Sequence, residues 1–175
     1  MMTPPVSQDM AVEFLQSAQH ESLVDLLCEL HAYYNQPPTA TRDEVRAHLQ
    51  DNLLREGSGL HLLVATDTHG AVAGFAALML MYSLVEPGPG QRRQCLLKEL
   101  YVRAPARGQG VGEALVRRSA RFALDNGCGR MDWNVKASNL RGIAFYEAMG
   151  ALRVEDRLSF RLPLAQLSQL GQPPR

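Results

Sequence analysis

The sequence has little of what would mark several protein classes. Its 18 basic and 18 acidic side chains cancel, so it lacks the broad positive field of a general nucleic-acid binder. It holds only three cysteines. Cys28, Cys95 and Cys128 lie far apart, in no CxxC and no Cys/His cluster, which argues against a disulfide framework or a cysteine-built metal centre. Free thiols on apolar segments suit a reducing compartment, so a cytoplasmic location is expected. No stretch approaches the roughly 20 apolar residues of a spanning helix. The N-terminus has no basic region followed by an apolar run, so neither a membrane association nor a signal peptide is expected. There is no internal repeat and no low-complexity tract. What is present is a globular composition, 46% hydrophobic and 21% charged over 175 residues, enough for one domain with a substantial core.

Residues 1–9, with Pro4 and Pro5, read as a disordered lead-in, residues 10–165 as one domain, and residues 166–175 as a tail. Ala11–Ala18 alternates as a first strand. Leu23, Leu26, Leu27 and Leu30 recur at helical spacing and predict a helix from Glu21 to Tyr34, stopped by Asn35 and Pro37-Pro38. Thr41 with Glu44 three residues on predicts a capping box, and Val45, Leu49 and Leu53 give the helix behind it an apolar side. Leu60–Thr66 and Ala71–Met81 read as an antiparallel hairpin around Asp67–Gly70. Ser83–Arg93, rich in Pro and Gly, is either a hairpin tip or a lid over a binding site. Gln94–Val102 is the next strand, followed by a helix over Gly110–Asn126 stopped by Gly127. Then come a strand at Met131–Val135, a helix over Leu140–Met149, and a last strand or hairpin arm at Val154–Leu162. This order predicts an α/β (α+β) architecture. The sheet should be mixed, twisted and mostly antiparallel, with six to seven strands and about four helices on both faces.

The chain is organised around Val102–Gly112, V-R-A-P-A-R-G-Q-G-V-G. A strand empties into this glycine-rich turn and a helix starts on it. The first helical N–H groups have no internal partners, and the helix dipole adds fractional positive charge there. Gly108, Gly110 and Gly112 bring no side chain that would keep a diphosphate from those amides, and Arg107 supplies a fixed charge. A Walker loop needs Gly-Lys-Ser/Thr, but Glu113 follows Gly112. The dinucleotide fingerprint needs a third glycine where Glu113 stands. What remains is Arg-x-x-Gly-x-Gly, at Arg107, Gly110 and Gly112.

Two stretches carry a resemblance to the GNAT superfamily of acyl-coenzyme A-dependent N-acetyltransferases. One is Leu97–Leu115, L-K-E-L-Y-V-R-A-P-A-R-G-Q-G-V-G-E-A-L. The other is Asn139–Ala151, N-L-R-G-I-A-F-Y-E-A-M-G-A, like that family's Asn-x-x-Ala-x-x-Phe-Tyr-x-x-x-Gly with the alanine one residue late, at Ala144. Gly127-Cys128-Gly129-Arg130 and Trp133 look most like the diamine (spermidine/spermine) and thialysine branch. The resemblance implies the GNAT fold, acetyl-CoA as co-substrate without a metal, and a small-molecule amine as acceptor; homodimers occur among such relatives. It implies that Arg107, Gly108, Gln109, Gly110, Val111 and Gly112 hold the pyrophosphate. Leu100, Tyr101 and Val102 would face the pantetheine arm and the thioester, on a strand that family members splay at a bulge. Asn139 would contact the arm or shape its slot, and Tyr146 would place its hydroxyl near the sulfur.

The implied reaction needs a base for the ammonium proton and an acid for the departing thiolate. A tyrosine of ordinary pKa is protonated at pH 7, so Tyr146 suits the acid. Glu99, three residues before Val102, is the candidate base. Strict alternation puts Glu99 and Tyr101 on one face, and Lys98, Leu100 and Val102 on the other. The diamine enzymes carry an acidic residue where this chain has Lys98, a departure that sets a polyamine acceptor in doubt. Lys98 and Arg92-Arg93 read equally as recognition of an acidic acceptor group and as solvated edge charges. Protein N-terminal or lysine acetylation and a non-catalytic acyl-CoA sensor are the competing functions.

Overall fold

A computed structural model describes residues 11–173. The lead-in expected at residues 1–9 lies outside the described residues. Two compact units are distinguished, Met1–Asn134 and Val135–Arg175.

The first unit carries one sheet. Its strands are β1 (Ala11–Phe14), β2 (Leu60–Thr66), β3 (Val72–Tyr82), β4 (Arg93–Val102) and β5 (Arg130–Asp132), in that spatial order. The first four pair antiparallel and β5 joins β4 in parallel. Helices α1 (His20–Tyr34) and α2 (Arg42–His48) lie on one face, and α2 runs on into a wide π turn at Leu49–Leu53. Helix α3 (Val111–Asp125) covers the other face.

Local chemistry accounts for these elements. The Thr41 hydroxyl accepts from the Glu44 N–H at 3.3 Å, and the Glu44 carboxylate accepts from the Thr41 N–H at 2.7 Å. That is the capping box read from the sequence. The Glu21 carboxylate binds both Arg42 and Arg46, tying α1 to α2. In α3 the residues Val111, Leu115, Ser119, Phe122 and Ala123 recur at helical spacing and form a buried stripe. The Ser119 hydroxyl is satisfied by donating to the Leu115 carbonyl at 2.7 Å. Gly127, with φ +69°, closes the helix.

Between β3 and β4 the register slips by one residue. Ala77 pairs with Glu99 and Leu78 with Leu97, so Lys98 is extra and β4 bulges there. The bulge overturns the expected alternation. Cys95 and Leu97 pack on the α3 side, and so do Leu100 and Val102. That phase jump falls at Lys98, which therefore shares the α1 side with Glu99 rather than the α3 side with Leu100.

The second unit holds α4 (Leu140–Ala148) and α5 (Leu164–Leu170). The described residues thus contain five strands and five α-helices, against the six to seven strands and about four helices expected. Of the six segments read as strands, only Val154–Leu162 forms none, and another is cut short. Ala11–Ala18 is a strand only to Phe14, after which Ser17–Gln19 coils into a 3-10 turn. Val154–Leu162 has strand composition but forms no ladder, and Val154, Leu158, Phe160 and Leu162 are exposed. A strand exists only where a neighbour satisfies its N–H and C=O groups, and the described residues of this unit contain no other strand. The additional helix is α5, which occupies part of the expected tail.

Candidate functional site

The site grows from the end of β4. The Arg103 N–H donates to the Ala73 carbonyl at 2.9 Å. In an antiparallel ladder this alternates, so Tyr101 and Glu99 also turn their backbone groups toward β3. Leu100 and Val102 then turn theirs away, toward the β5 side. Pairing with β5 has already ended there, at Leu96 and Asp132. Leu100 and Val102 thus have no ladder partner on β5, while the Tyr101 backbone is committed to Phe75 across the sheet.

Beyond Val102 the chain makes a 3-10 turn at Ala104–Ala106 and then the glycine turn. Gly108 (φ +78°) and Gly110 (φ +81°) occupy the left-handed region that a side chain disfavours. Gly110 is the N-cap of α3, and the first helical bond runs from the Ala114 N–H to its carbonyl. The N–H groups of Val111, Gly112 and Glu113 precede that bond and have no partner within the helix. A Cβ placed at Gly108 or Gly110 would meet nothing within 4 Å, so the space before these amides is open. Open amides, a helix N-terminus and no capping side chain suit a diphosphate.

The side chains of the turn mainly hold its shape. Arg107 Nε donates to the Val102 carbonyl at 2.8 Å, and its guanidinium lies 5.5 Å from the Tyr101 ring centroid. Gln109 Nε2 donates to the Pro105 carbonyl at 2.9 Å. The one acidic group in the first turn of α3, Glu113, is ion-paired to Arg117 at 2.7 Å.

On the opposite face, Lys98 and Glu99 line a cleft of ≈ 410 Å³ whose other walls are mostly aliphatic, from Leu23, Leu27 and Leu30 of α1 to Leu62, Phe75 and Met79 of the sheet. A second groove, of ≈ 530 Å³ between α1 and α2, adjoins it across Leu27, Leu30 and Leu53. Tyr34 lines that groove. Burial first, and then the nearby Glu99 carboxylate, push its phenol above the ordinary tyrosine value. Sequence reasoning missed Leu27, Leu30 and Tyr34 as part of the site. Their signal was the spacing of Leu23, Leu27, Leu30 and Tyr34, which continues one helix face up to Glu99.

The Ser83–Arg93 loop is a tied hairpin tip. The Ser83 N–H donates to the Arg92 carbonyl at 2.7 Å, and Ser83 Oγ accepts from the Val85 and Glu86 N–H groups. A Cβ on Gly129 would come within 2.0 Å of the Gly90 carbonyl oxygen, so the tip lies directly on the start of β5.

The remaining expected site residues belong to the second unit. Asn139 is the N-cap of α4, its Oδ1 accepting from the Gly142 N–H at 3.0 Å. Tyr146 is half-buried on α4, its ring edge-on to Phe145 at 5.0 Å between centroids.

The Acetyltransferase (GNAT) family model matches residues 22–151. The chain is 38% identical over 84 residues to a thialysine N-epsilon-acetyltransferase of Mus musculus, across 45% of this chain and 48% of that protein. It is 34% identical over 80 residues to an L-ornithine N5-acetyltransferase of Arabidopsis thaliana, across 46% of this chain and 33% of that protein. The chain thus spans less than half the length of these curated relatives. Among solved structures, an integron cassette protein from the mobile metagenome of V. cholerae superposes with a TM-score of 0.85 at 26% identity, covering 95% of this chain and all of that one. An aminoglycoside N-acetyltransferase in complex with CoA shares the fold, with a TM-score of 0.71 at 20% identity over 93% and 99% of the two chains.

Proposed function

The chain belongs to the GNAT acetyltransferase family, and from that premise we propose that it moves an acetyl group from acetyl-CoA to the primary amine of a small molecule by direct attack. The observation that carries this reading is the end of β4, where pairing with β5 has stopped, leading into the open amides of Val111–Glu113. Here the backbone suits a diphosphate and its thioester arm, while the next side chain upstream, Glu99, enters a cleft on the other face. Thialysine and ornithine acetyltransferases among the relatives support a small amine as acceptor.

Acetyl-CoA supplies an activated carbonyl and a thiolate leaving group. In this proposal the amides of Val111, Gly112 and Glu113 receive the diphosphate and the backbone of Leu100 and Val102 receives the arm. A Glu99 carboxylate oxygen takes the proton from the acceptor ammonium, so that the amine lone pair is free. Tyr146 Oη holds a proton for the departing sulfur, as the family resemblance implies. The cytoplasm is the compartment in which the chain is proposed to work, without a nucleic-acid or membrane partner.

The test is release of coenzyme A thiol in the presence of acetyl-CoA and a panel of amines. Tyr146→Phe is expected to lower kcat by about 10²- to 10⁴-fold, the range for a positioned acid, with the melting temperature unchanged. Unchanged turnover would remove Tyr146 as the acid. Cofactor binding without amine-dependent release in the parent protein would instead make this an acyl-CoA sensor.

A further inference from the structure

The Lys98 bulge places two opposite charges, adjacent in sequence, on one wall of one cleft. In a regular strand, neighbouring residues point to opposite faces. Here both Lys98 and Glu99 line the cleft because the extra residue breaks the alternation. Their Cα atoms are about 3.8 Å apart, as across any trans peptide. Such a pair complements a ligand whose own ammonium and anion are equally close together. A polyamine brings no anion for Lys98 to pair with. The rest of the wall is mostly aliphatic and aromatic, through Leu23, Leu27, Leu30, Leu62 and Phe75, and its other polar residues, Asn52 and Ser58, are bonded to His48 and to the Leu53 carbonyl. It offers little to the distant polar groups of an aminoglycoside or a long diamine. Its volume of ≈ 410 Å³ leaves room for a branched or aromatic side chain.

Resting on the acetyltransferase reading above, we propose that the acceptor is a free α-amino acid with an apolar side chain. Its α-ammonium lies at Glu99, its α-carboxylate at Lys98, and its side chain in the leucine-lined cleft. The reaction forms an amide bond between the α-nitrogen and the acetyl carbonyl and breaks the thioester. Glu99 takes the first ammonium proton and passes it to water, the thiolate leaves with the bonding pair and takes a proton from Tyr146 Oη, and the second proton, shed by the nitrogen as the amide forms, replaces the one Tyr146 gave. Lys98 is a specificity residue and takes no part in the proton movements.

The experiment measures thiol release by the full chain with acetyl-CoA and L-leucine, L-methionine, L-phenylalanine, L-alanine, leucinamide, isoamylamine and spermidine. The expected order puts leucine, methionine and phenylalanine at least tenfold above alanine in kcat/KM. They should also exceed leucinamide and isoamylamine, which lack the carboxylate, and spermidine, each by at least tenfold. Lys98→Ala should collapse the preference for leucine over isoamylamine at least tenfold, chiefly through the KM for leucine, and Lys98→Arg should restore it. Leucine binding by calorimetry gives the same contrast without turnover. Leucinamide equal to or better than leucine would overturn the proposal in favour of peptide N-termini, and a preference for spermidine would overturn it outright. Thiol release with isoamylamine but not with leucine overturns the acceptor alone. Release with no amine at all overturns the acetyltransferase reading beneath it.

Discussion

Deleting Lys98 should straighten β4 without turning it over. Leu97 and Glu99 become neighbours, and the pairs Leu78–Leu97 and Ala77–Glu99 then follow one another with no slip. Strict alternation from Cys95 and Leu97 now reaches Leu100 and Val102, so all four still face α3. Had the deletion turned the second half over, the half-buried Leu100 and Val102 would leave that core at about 1 kcal/mol or somewhat more each. Glu99 would then face Leu115 and Phe122, where an unpaired polar group costs about 1–3 kcal/mol or more. That route amounts to about 4–6 kcal/mol, a fall in melting temperature of about 8–24 °C at about 2–4 °C per kcal/mol for a chain of this size. Retained faces predict instead a loss of about 1 kcal/mol or less, close to that of Lys98→Ala at this exposed position. Thermal and urea melts of the two variants decide the matter. A deletion variant melting about 8 °C or more below the parent would refute the claim that Lys98 is the one residue outside the alternation of β4.

Two further outcomes follow from the same core. Gly74→Ala should destabilise by about 1–3 kcal/mol by overpacking, because its Cβ would meet the Tyr101 carbonyl oxygen at 2.9 Å and the Leu115 and Val102 side chains at 3.2 Å; an unchanged urea midpoint would show that β4 can yield. Burial, and secondarily Cys128, push the Cys95 thiol up to about 11 from its ordinary 9.0. The folded state holds that proton where the unfolded state releases it, so this contribution is complete below pH 9 and lost as pH rises toward 11. The slope is at most about 1.4 kcal/mol per pH unit, and alkaline melts of Cys95→Ala against the parent should show it removed.

Much of this architecture could be read from residue order. The Thr41 and Glu44 box, the α1 stripe ending at Tyr34, and the strand, glycine turn and helix around Gly110 each depend on contacts within a few residues, where composition and spacing suffice. The bulge depends on register against β3, which no local propensity encodes. Its trace was nevertheless present: the apolar positions Cys95, Leu97, Leu100 and Val102 change phase once, between 97 and 100. Val154–Leu162 failed for the opposite reason, since its composition favours a strand but pairing needs an edge that sequence cannot supply. Helix α5 was legible in principle, with Pro163 before Leu164, Leu167 and Leu170 at threefold spacing. The walls of the cleft come from α1, β2, β3 and β4 at once, so only the fold could bring Leu27 and Leu30 to Lys98 and Glu99.

The position of Lys98 also bears on how such a protein diversifies. A bulged residue sits outside the ladder, on the face away from the α3 core, so its identity is nearly decoupled from the folding of the strand that carries it. Selection can exchange lysine for an acid, an amide or a small residue there without first acquiring a compensating change elsewhere. Each exchange rewrites the charge that greets an incoming molecule while leaving the glycine turn untouched. Descendants of one ancestor could therefore part company over what they modify by single steps at this site, long before their folds or their donor-binding residues show any divergence.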